Sequence, residues 1–285
     1  MLSIKPTMPV KNFLIIFFSL AICGTSQAQF TTVAYDTFNY SAGSLSGQNG
    51  GTGWTSSWIN DYTSGASFNV SATGMSYAGL TTSGGSIVWG SGGNGISEDS
   101  RTLPLLESGV VYIQFLSQFG SSSGGGTPNI RLINSGTLTG GFGGNGGTYS
   151  GVMSILNTTL NPASDGSSSS SASLSALNLV VARIDYQSVT TTMWLNPDLT
   201  TFDYQNPTTP NVTYAGLAPA FNTIAIYSRS PAKVDELTVM AEPVPEPSPT
   251  VFLGIGASII LRGGLHRRQQ KSRRENLLPS PMPAD

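Results

Sequence analysis

Short runs rich in Val, Ile, Thr, Tyr and Phe recur along this chain, each closed within a few residues by Gly or Ser. They lie at 31–38, 67–72, 86–89, 110–119, 129–134, 149–156, 177–186, 189–195, 222–227 and 234–240. No segment among them has a helical period. β-rich runs at short spacing, with turn signals between them, read as an all-β sandwich, and a body of about 220 residues fits one such domain. Two runs alternate clearly. Val180, Ala182 and Ile184 fall on one face while Arg183 and Asp185 fall on the other, and Ile224 and Ile226 share a face with Asn222. A period of two turns these apolar sets toward a core. Gln187-Ser188 between two runs predicts a tight hairpin, although the turn has neither Gly nor Asn. The tracts 120–127, 140–147 and 165–173 hold too few apolar side chains to offset ordering entropy and read as mobile surface loops.

The two ends have a different character. Lys5 and Lys11 precede an apolar run at 13–22 and then Ser26-Gln27-Ala28. A basic start, a short apolar run and a small-x-small site predict a signal peptide over 1–28, cut between Ala28 and Gln29. At the other end Pro243, Pro245, Pro247 and Pro249 make a stiff extended spacer. An apolar segment at 250–261 follows, then Arg262, Arg267, Arg268, Lys271, Arg273 and Arg274. Helical rise over the apolar segment gives about 18 Å, and extension to Leu265 about 24 Å, against a hydrocarbon core of about 30 Å. The segment reads as a short transmembrane helix over 250–265. The alternative is a buried core helix, and the basic cluster directly behind it argues against burial. The division is therefore a leader at 1–28, a β-sandwich at 29–242, a sorting and membrane segment at 243–274, and a disordered tail at 275–285.

Composition excludes much chemistry. The only cysteine is Cys23 and the only histidine is His266, both outside the sandwich. The body thus has no disulfide framework, no Ser-His-Asp triad, no Cys-His pair and no His-ligated zinc. Between residues 29 and 248, five basic residues face thirteen acidic ones, a net charge of −8. An acidic body is a poor match for nucleic acid. Glycoside hydrolysis needs two carboxylates about 5–9 Å apart, yet no Glu-x-Asp-x-x-Glu occurs. Glu98-Asp99 and Asp235-Glu236 are adjacent, so on strands they would face opposite sides, and both pairs read as solvated edge charge. No catalytic residue, metal ligand or cofactor is expected. Trp89 and Trp194 sit near strand ends and read as core. Trp58 and Tyr62, in the polar stretch Trp58-Ile59-Asn60-Asp61-Tyr62, are the candidate sugar contacts.

The tail Val244-Pro245-Glu246-Pro247-Ser248, with its apolar segment and arginine-rich end, resembles the PEP-CTERM sorting signal of bacterial exported proteins. In that family a membrane peptidase, exosortase, recognises and cuts the tail near the Pro-Glu-Pro motif, which Pro245, Glu246 and Pro247 match. This chain departs from the pattern by running on from Glu275 to Asp285. Within the body, Phe38-Asn39-Tyr40-Ser41-Ala42-Gly43, Gly50-Gly51-Thr52-Gly53-Trp54, Met193-Trp194-Leu195-Asn196-Pro197 and Val234-Asp235-Glu236-Leu237 are similar to segments of proteins that carry this tail. The resemblance implies a laminin-G-like or concanavalin-A-like jelly roll, an antiparallel sandwich. It also implies a sorting peptidase and a membrane as partners, and a precursor in the inner membrane before release to the envelope, surface or exterior. The functional expectation is an exported, non-catalytic cell-surface or extracellular-matrix protein. The alternative is a carbohydrate-binding, lectin-like module with extracellular polysaccharide as partner, and a glycoside hydrolase ranks behind both.

Overall fold

The computed structural model describes residues 29–90, 95–120, 128–144, 152–158 and 169–243. Residues 1–28, where a signal peptide is expected, and everything from residue 244 on lie outside the described residues. That includes Pro245, Glu246, Pro247, the apolar segment and the basic cluster from Arg262 to Arg274. Among the described residues no helix is long and apolar enough to cross a membrane.

The described strands are β1 (Thr31–Asp36), β2 (Gly43–Ser44), β3 (Ile59–Ser64), β4 (Phe68–Ser71), β5 (Ser86–Trp89), β6 (Ile96–Leu106), β7 (Val110–Phe119) and β8 (Asn129–Asn134). They continue with β9 (Thr137–Gly143), β10 (Val152–Leu156), β11 (Ser169–Ser173), β12 (Asn178–Asp185), β13 (Thr190–Leu195), β14 (Val212–Ala215), β15 (Phe221–Ser228) and β16 (Ala232–Ala241). They form two antiparallel sheets. One runs β14-β13-β12-β7-β16-β5-β4-β2, with β1 also on β16; the other runs β11-β10-β9-β8-β15-β6-β3. The chain changes sheet between β2 and β3, β3 and β4, β5 and β6, β6 and β7, β7 and β8, β11 and β12, β14 and β15, and β15 and β16. Such repeated crossing wraps the two layers around one core as a jelly roll does. The expected antiparallel sandwich is the fold that forms.

Alternation explains the core. Val180, Ala182 and Ile184 of β12 and Ile224 and Ile226 of β15 are buried between the sheets with Phe68, Phe115, Phe142 and Phe221. Each of these Val, Ile and Phe side chains contributes about 1.5–3 kcal/mol of burial. Arg183 and Asp185 point the other way and pair at 3.0 Å. Asn222 does not share the core face. The register shifts between Phe221 and Thr223, so Phe221 enters the core and Asn222 Oδ1 accepts from the Ser135 backbone N–H.

Other expectations need correction. The hairpin after β12 has four linking residues, 186–189, rather than a tight pair. Asp185 Oδ1 accepts from the backbone N–H groups of Gln187 and Ser188, and Val189 takes the positive φ that a Gly would usually supply. The tract 140–147 is not wholly a loop: Gly140 to Gly143 belong to β9, and Phe142 is fully buried. Residues 169–173, assigned to a loop, form β11.

The outer face of the nine-stranded sheet is also apolar, which β12 alternation alone would not suggest. Tyr112, Leu116, Leu179, Val181 and Trp194 are buried there beneath Met75, Tyr77 and Leu80 of one loop and Leu199, Phe202 and Tyr204 of another. Trp194 is thus a packing residue, as expected, and its Nε1–H donates to Thr208 O at 2.7 Å. Trp89 packs, partly buried, against the main core.

Candidate functional site

The Trp58–Tyr62 stretch is positioned by a buried polar hub. Asp36, at the end of β1, is 1% exposed. Its Oδ2 accepts from Arg101 Nη1 at 2.7 Å, Trp58 Nε1 at 2.9 Å and Tyr40 OH at 2.6 Å, and its Oδ1 from the Phe38 N–H at 2.8 Å. Arg101 comes from β6 of the opposite sheet. Its remaining nitrogens donate to Ser56 O and Asn49 Oδ1, and its guanidinium lies 5.1 Å from the Trp54 ring centroid. The hub folds the glycine-rich segment against β1. Gly51 and Gly53 have positive φ, and a Cβ at either would collide with the Tyr35 or Val33 carbonyl.

This geometry corrects the assignment of Trp58. The ring is 1% exposed, packed on Phe38 and Trp54, with its N–H bound to Asp36. It cannot present a face to a sugar. Tyr62 is the opposite case, 52% exposed on β3. Gln29 is exposed and opens the described residues.

The edge strand β3 holds a device that period-two reasoning misses. Its pairing with β6 shifts between Asn60 and Tyr62. In a regular strand residues 59 and 62 would face opposite sides. The bulge puts Ile59 opposite Ser100 and Tyr62 opposite Glu98, so both lie on the outer face of the seven-stranded sheet. Bulges often re-aim side chains in this way. Ile59 is 49% exposed, and beside Tyr62 it makes an apolar platform.

Polar groups border that platform. Glu98 is opposite Tyr62 on one side and Tyr227 on the other. Arg131 Nη1 pairs with Glu98 Oε2 at 2.7 Å, Arg131 Nε donates to Asn129 Oδ1, and the guanidinium stacks 3.6 Å from the Tyr227 ring centroid. An apolar patch bordered by a half-buried, hydrogen-bonded ion pair can stack a pyranose ring and bond its hydroxyls. Sequence reading did not single out Arg131 or Tyr227, weighed Glu98 only as half of an adjacent acid pair, and gave Ile59 no role within the Trp58–Tyr62 stretch. Arg131 between Ile130 and Leu132 carried an alternation signal for an outward cation; the bulge had no signal.

Glu98 and Asp99 are separated as expected for a strand, whereas Asp235 and Glu236 both reach the loop between β4 and β5, and neither pair is the solvated edge charge expected. Glu98 faces outward, whereas Asp99 is 1% exposed and accepts from Asn60 Nδ2 at 2.6 Å and Ser97 Oγ at 3.3 Å. Asp235 and Glu236 are each 1% exposed. Asp235 Oδ2 accepts from the Met75 N–H and Oδ1 from the Glu236 N–H. Glu236, with positive φ at a bulge in β16, accepts from Tyr35 OH and the Ser83 N–H, each at 2.6 Å. Both acids therefore clamp the loop between β4 and β5 onto the sheet. Among the described residues no group of three or more His, Cys, Asp or Glu could hold a metal ion.

No protein-family model matches the chain, and no curated protein matches it. Similar solved structures include a carbohydrate esterase from Shiga toxin-encoding bacteriophage phi24B. It is 14% identical, over 75% of this chain and 100% of that one, with a TM-score of 0.42. The cellulose induced protein Cip1 is 14% identical over 64% and 90% of the two chains, with a TM-score of 0.40. Lectin I-B4 from Griffonia simplicifolia, in its metal-free form, is 8% identical over 77% and 95%, with a TM-score of 0.34. These are likenesses of β-sandwich architecture and say nothing of activity.

Burial makes two carboxyls pH-sensitive. Loss of solvent pushes Asp99 up to about 6, against the opposing pull of its hydrogen bonds to Asn60 and Ser97. Loss of solvent likewise raises Asp235 to about 7. A folded pKa above the unfolded value gives stability that is complete below about pH 4 and lost as pH rises through the folded value. Asp99→Asn keeps an acceptor for Asn60 and removes the ionisation. Its stability relative to wild type should rise between about pH 4 and pH 6 and then level, as read by chemical denaturation across pH. A difference that stays flat over that range contradicts the assignment.

Proposed function

We propose that the chain is an exported, non-catalytic protein of the cell surface or extracellular matrix, sorted by its C-terminal end. The observation that carries this is the pairing of a signal-peptide pattern at 1–28 with the Pro-Glu-Pro, apolar and basic pattern at 243–274. The non-catalytic part is supported by the occupation of the buried acids and of Glu98. Asp36, Asp235 and Glu236 hold loops, Asp99 is bonded to Asn60, and Glu98 is paired with Arg131. A glycosidase needs an acid and a second carboxylate free to meet the substrate. The apolar segment is short for a permanent anchor, which suits a transient one that holds the chain while a peptidase of the exosortase kind reads Glu246.

The test is intact-mass analysis of the protein from the envelope of its own host. The expected species begins at Gln29 and ends near the Pro-Glu-Pro motif, and Glu246→Gln leaves an uncut membrane-bound precursor. A wild-type protein still ending at Asp285, or still carrying residues 1–28, overturns the reading.

Within that reading, the sandwich binds extracellular polysaccharide through the outer face of the seven-stranded sheet. The Ile59–Tyr62 platform beside the Glu98–Arg131 pair supports this. Loss of one stacking aromatic should weaken a shallow glycan contact by about tenfold, in line with the roughly 1.4 kcal/mol that a tenfold change represents. A glycan array of the full chain should give hits that Tyr62→Ala reduces by that factor. An array without hits, or hits that Tyr62→Ala leaves intact, removes the carbohydrate role from this face.

A further inference from the structure

A second concavity lies at the end of the nine-stranded sheet, where β5, β7 and β16 meet the turn after β11. Its volume is about 210 Å³, below the roughly 300 Å³ at which pockets for drug-sized ligands begin. It suits a single small ring. Val88, Trp89, Pro231 and Ala232 give it apolar walls. Gln118, Ser175 and Lys233 give it polar ones.

The walls are tied together before any ligand arrives. Lys233 stands opposite Val88 on one side and Gln118 on the other, so all three lie in one row of the sheet. Gln118 Nε2 donates to Ser175 O at 3.2 Å, and the Phe119 N–H donates to Leu174 O at 2.8 Å. The Gly120 N–H donates to Pro231 O. The end of β7 thus fixes the turn after β11 and the turn before β16 relative to each other. Preorganised walls reduce the ordering cost of binding.

The pocket wall also carries positive charge, from Lys233. Of the cations among the described residues, Arg101, Arg131 and Arg183 are in ion pairs with carboxylates. Arg229 and Lys233 are exposed and make no ion pair among the described residues. Arg229 is two residues from Pro231 on the turn between β15 and β16. Lys233 thus lines the concavity and Arg229 stands two residues from its Pro231 wall, so two of the five cations among the described residues lie at or near it. An unpaired ammonium favours an anionic ligand, and the Trp89 wall favours a ring with an apolar face.

We propose that this pocket binds a single sugar unit bearing an anionic group, with Lys233 meeting the charge and Trp89 and Pro231 meeting the ring. The site is separate from the Ile59–Tyr62 platform and does not depend on it.

Saturation-transfer NMR on the full-length chain tests this with D-glucuronate, D-glucose and acetate at millimolar concentration. Glucuronate should bind in preference to both others, because only it has ring and charge together. Binding should weaken as salt is added, fall about tenfold or more in Lys233→Gln and persist in Lys233→Arg. Lys233 is exposed, so folding of the variants can be checked by circular dichroism without loss of core contacts. Equal binding of glucose or acetate, unchanged binding in Lys233→Gln, or no binding of glucuronate to the wild type overturns the proposal.

Discussion

The carboxylate of Asp36 sits in the interior with four donors aimed at its two oxygens, and the arrangement of the N-terminal third depends on it. Arg101, Trp58 and the stretch that carries Phe38 and Tyr40 are three separate segments that converge on that one group. Removing one partner of such a buried pair leaves an uncompensated charge, at a cost of about 3–5 kcal/mol. With every donor matched, the hub specifies one geometry for the loop from residue 37 to residue 58. That loop ends at Trp58, and β3 begins at Ile59. The hub therefore sets where the Ile59–Tyr62 platform lies on the sandwich. A residue that looked available for ligand contact, Trp58, is what anchors the residues that remain available.

The same use of acids recurs at Asp235 and Glu236, which hold backbone N–H groups of Met75 and Ser83. Their loop covers part of the outer face of the nine-stranded sheet, where Tyr112, Trp194, Phe202 and Tyr204 stack edge to face or tilted at centroid distances of 5.0–6.4 Å. One outer face is thus covered in part by a loop held with carboxylates, while on the other Ile59 and Tyr62 of β3 are exposed among the described residues. In a body without Cys, where no disulfide can form, buried hydrogen-bonded acids tie these loops to the sheet.

Alternation made most of the architecture legible. The inward positions of β12 and β15 read directly from Val180, Ala182, Ile184, Ile224 and Ile226, because a half-buried strand repeats every two residues. What failed has identifiable causes. β6 escaped because its inward face carries Asp99 and Arg101, so polar residues occupy core positions. β9 escaped because its glycines pack against the backbone of β8, where a side chain would collide with Ile130 O or Pro128 O. Three register shifts, at Asn60–Tyr62, Phe221–Thr223 and Asp235–Thr238, moved single residues to the other face, and no local pattern marks them. Of the candidate site, Tyr62 was legible as an exposed aromatic in a polar stretch. Trp58 was not distinguishable from it, because the partner that buries it, Asp36, is 22 residues earlier.

Native-state hydrogen exchange at neutral pH tests most directly whether buried carboxylates hold these loops. The amides of Phe38, Met75 and Ser83 belong to no strand, yet each donates to a buried carboxylate. The account predicts that these three exchange with protection close to that of the central strands β7 and β12, opening only with the sandwich. Exchange at the rate of unprotected loop amides, with β7 and β12 still protected, would contradict it.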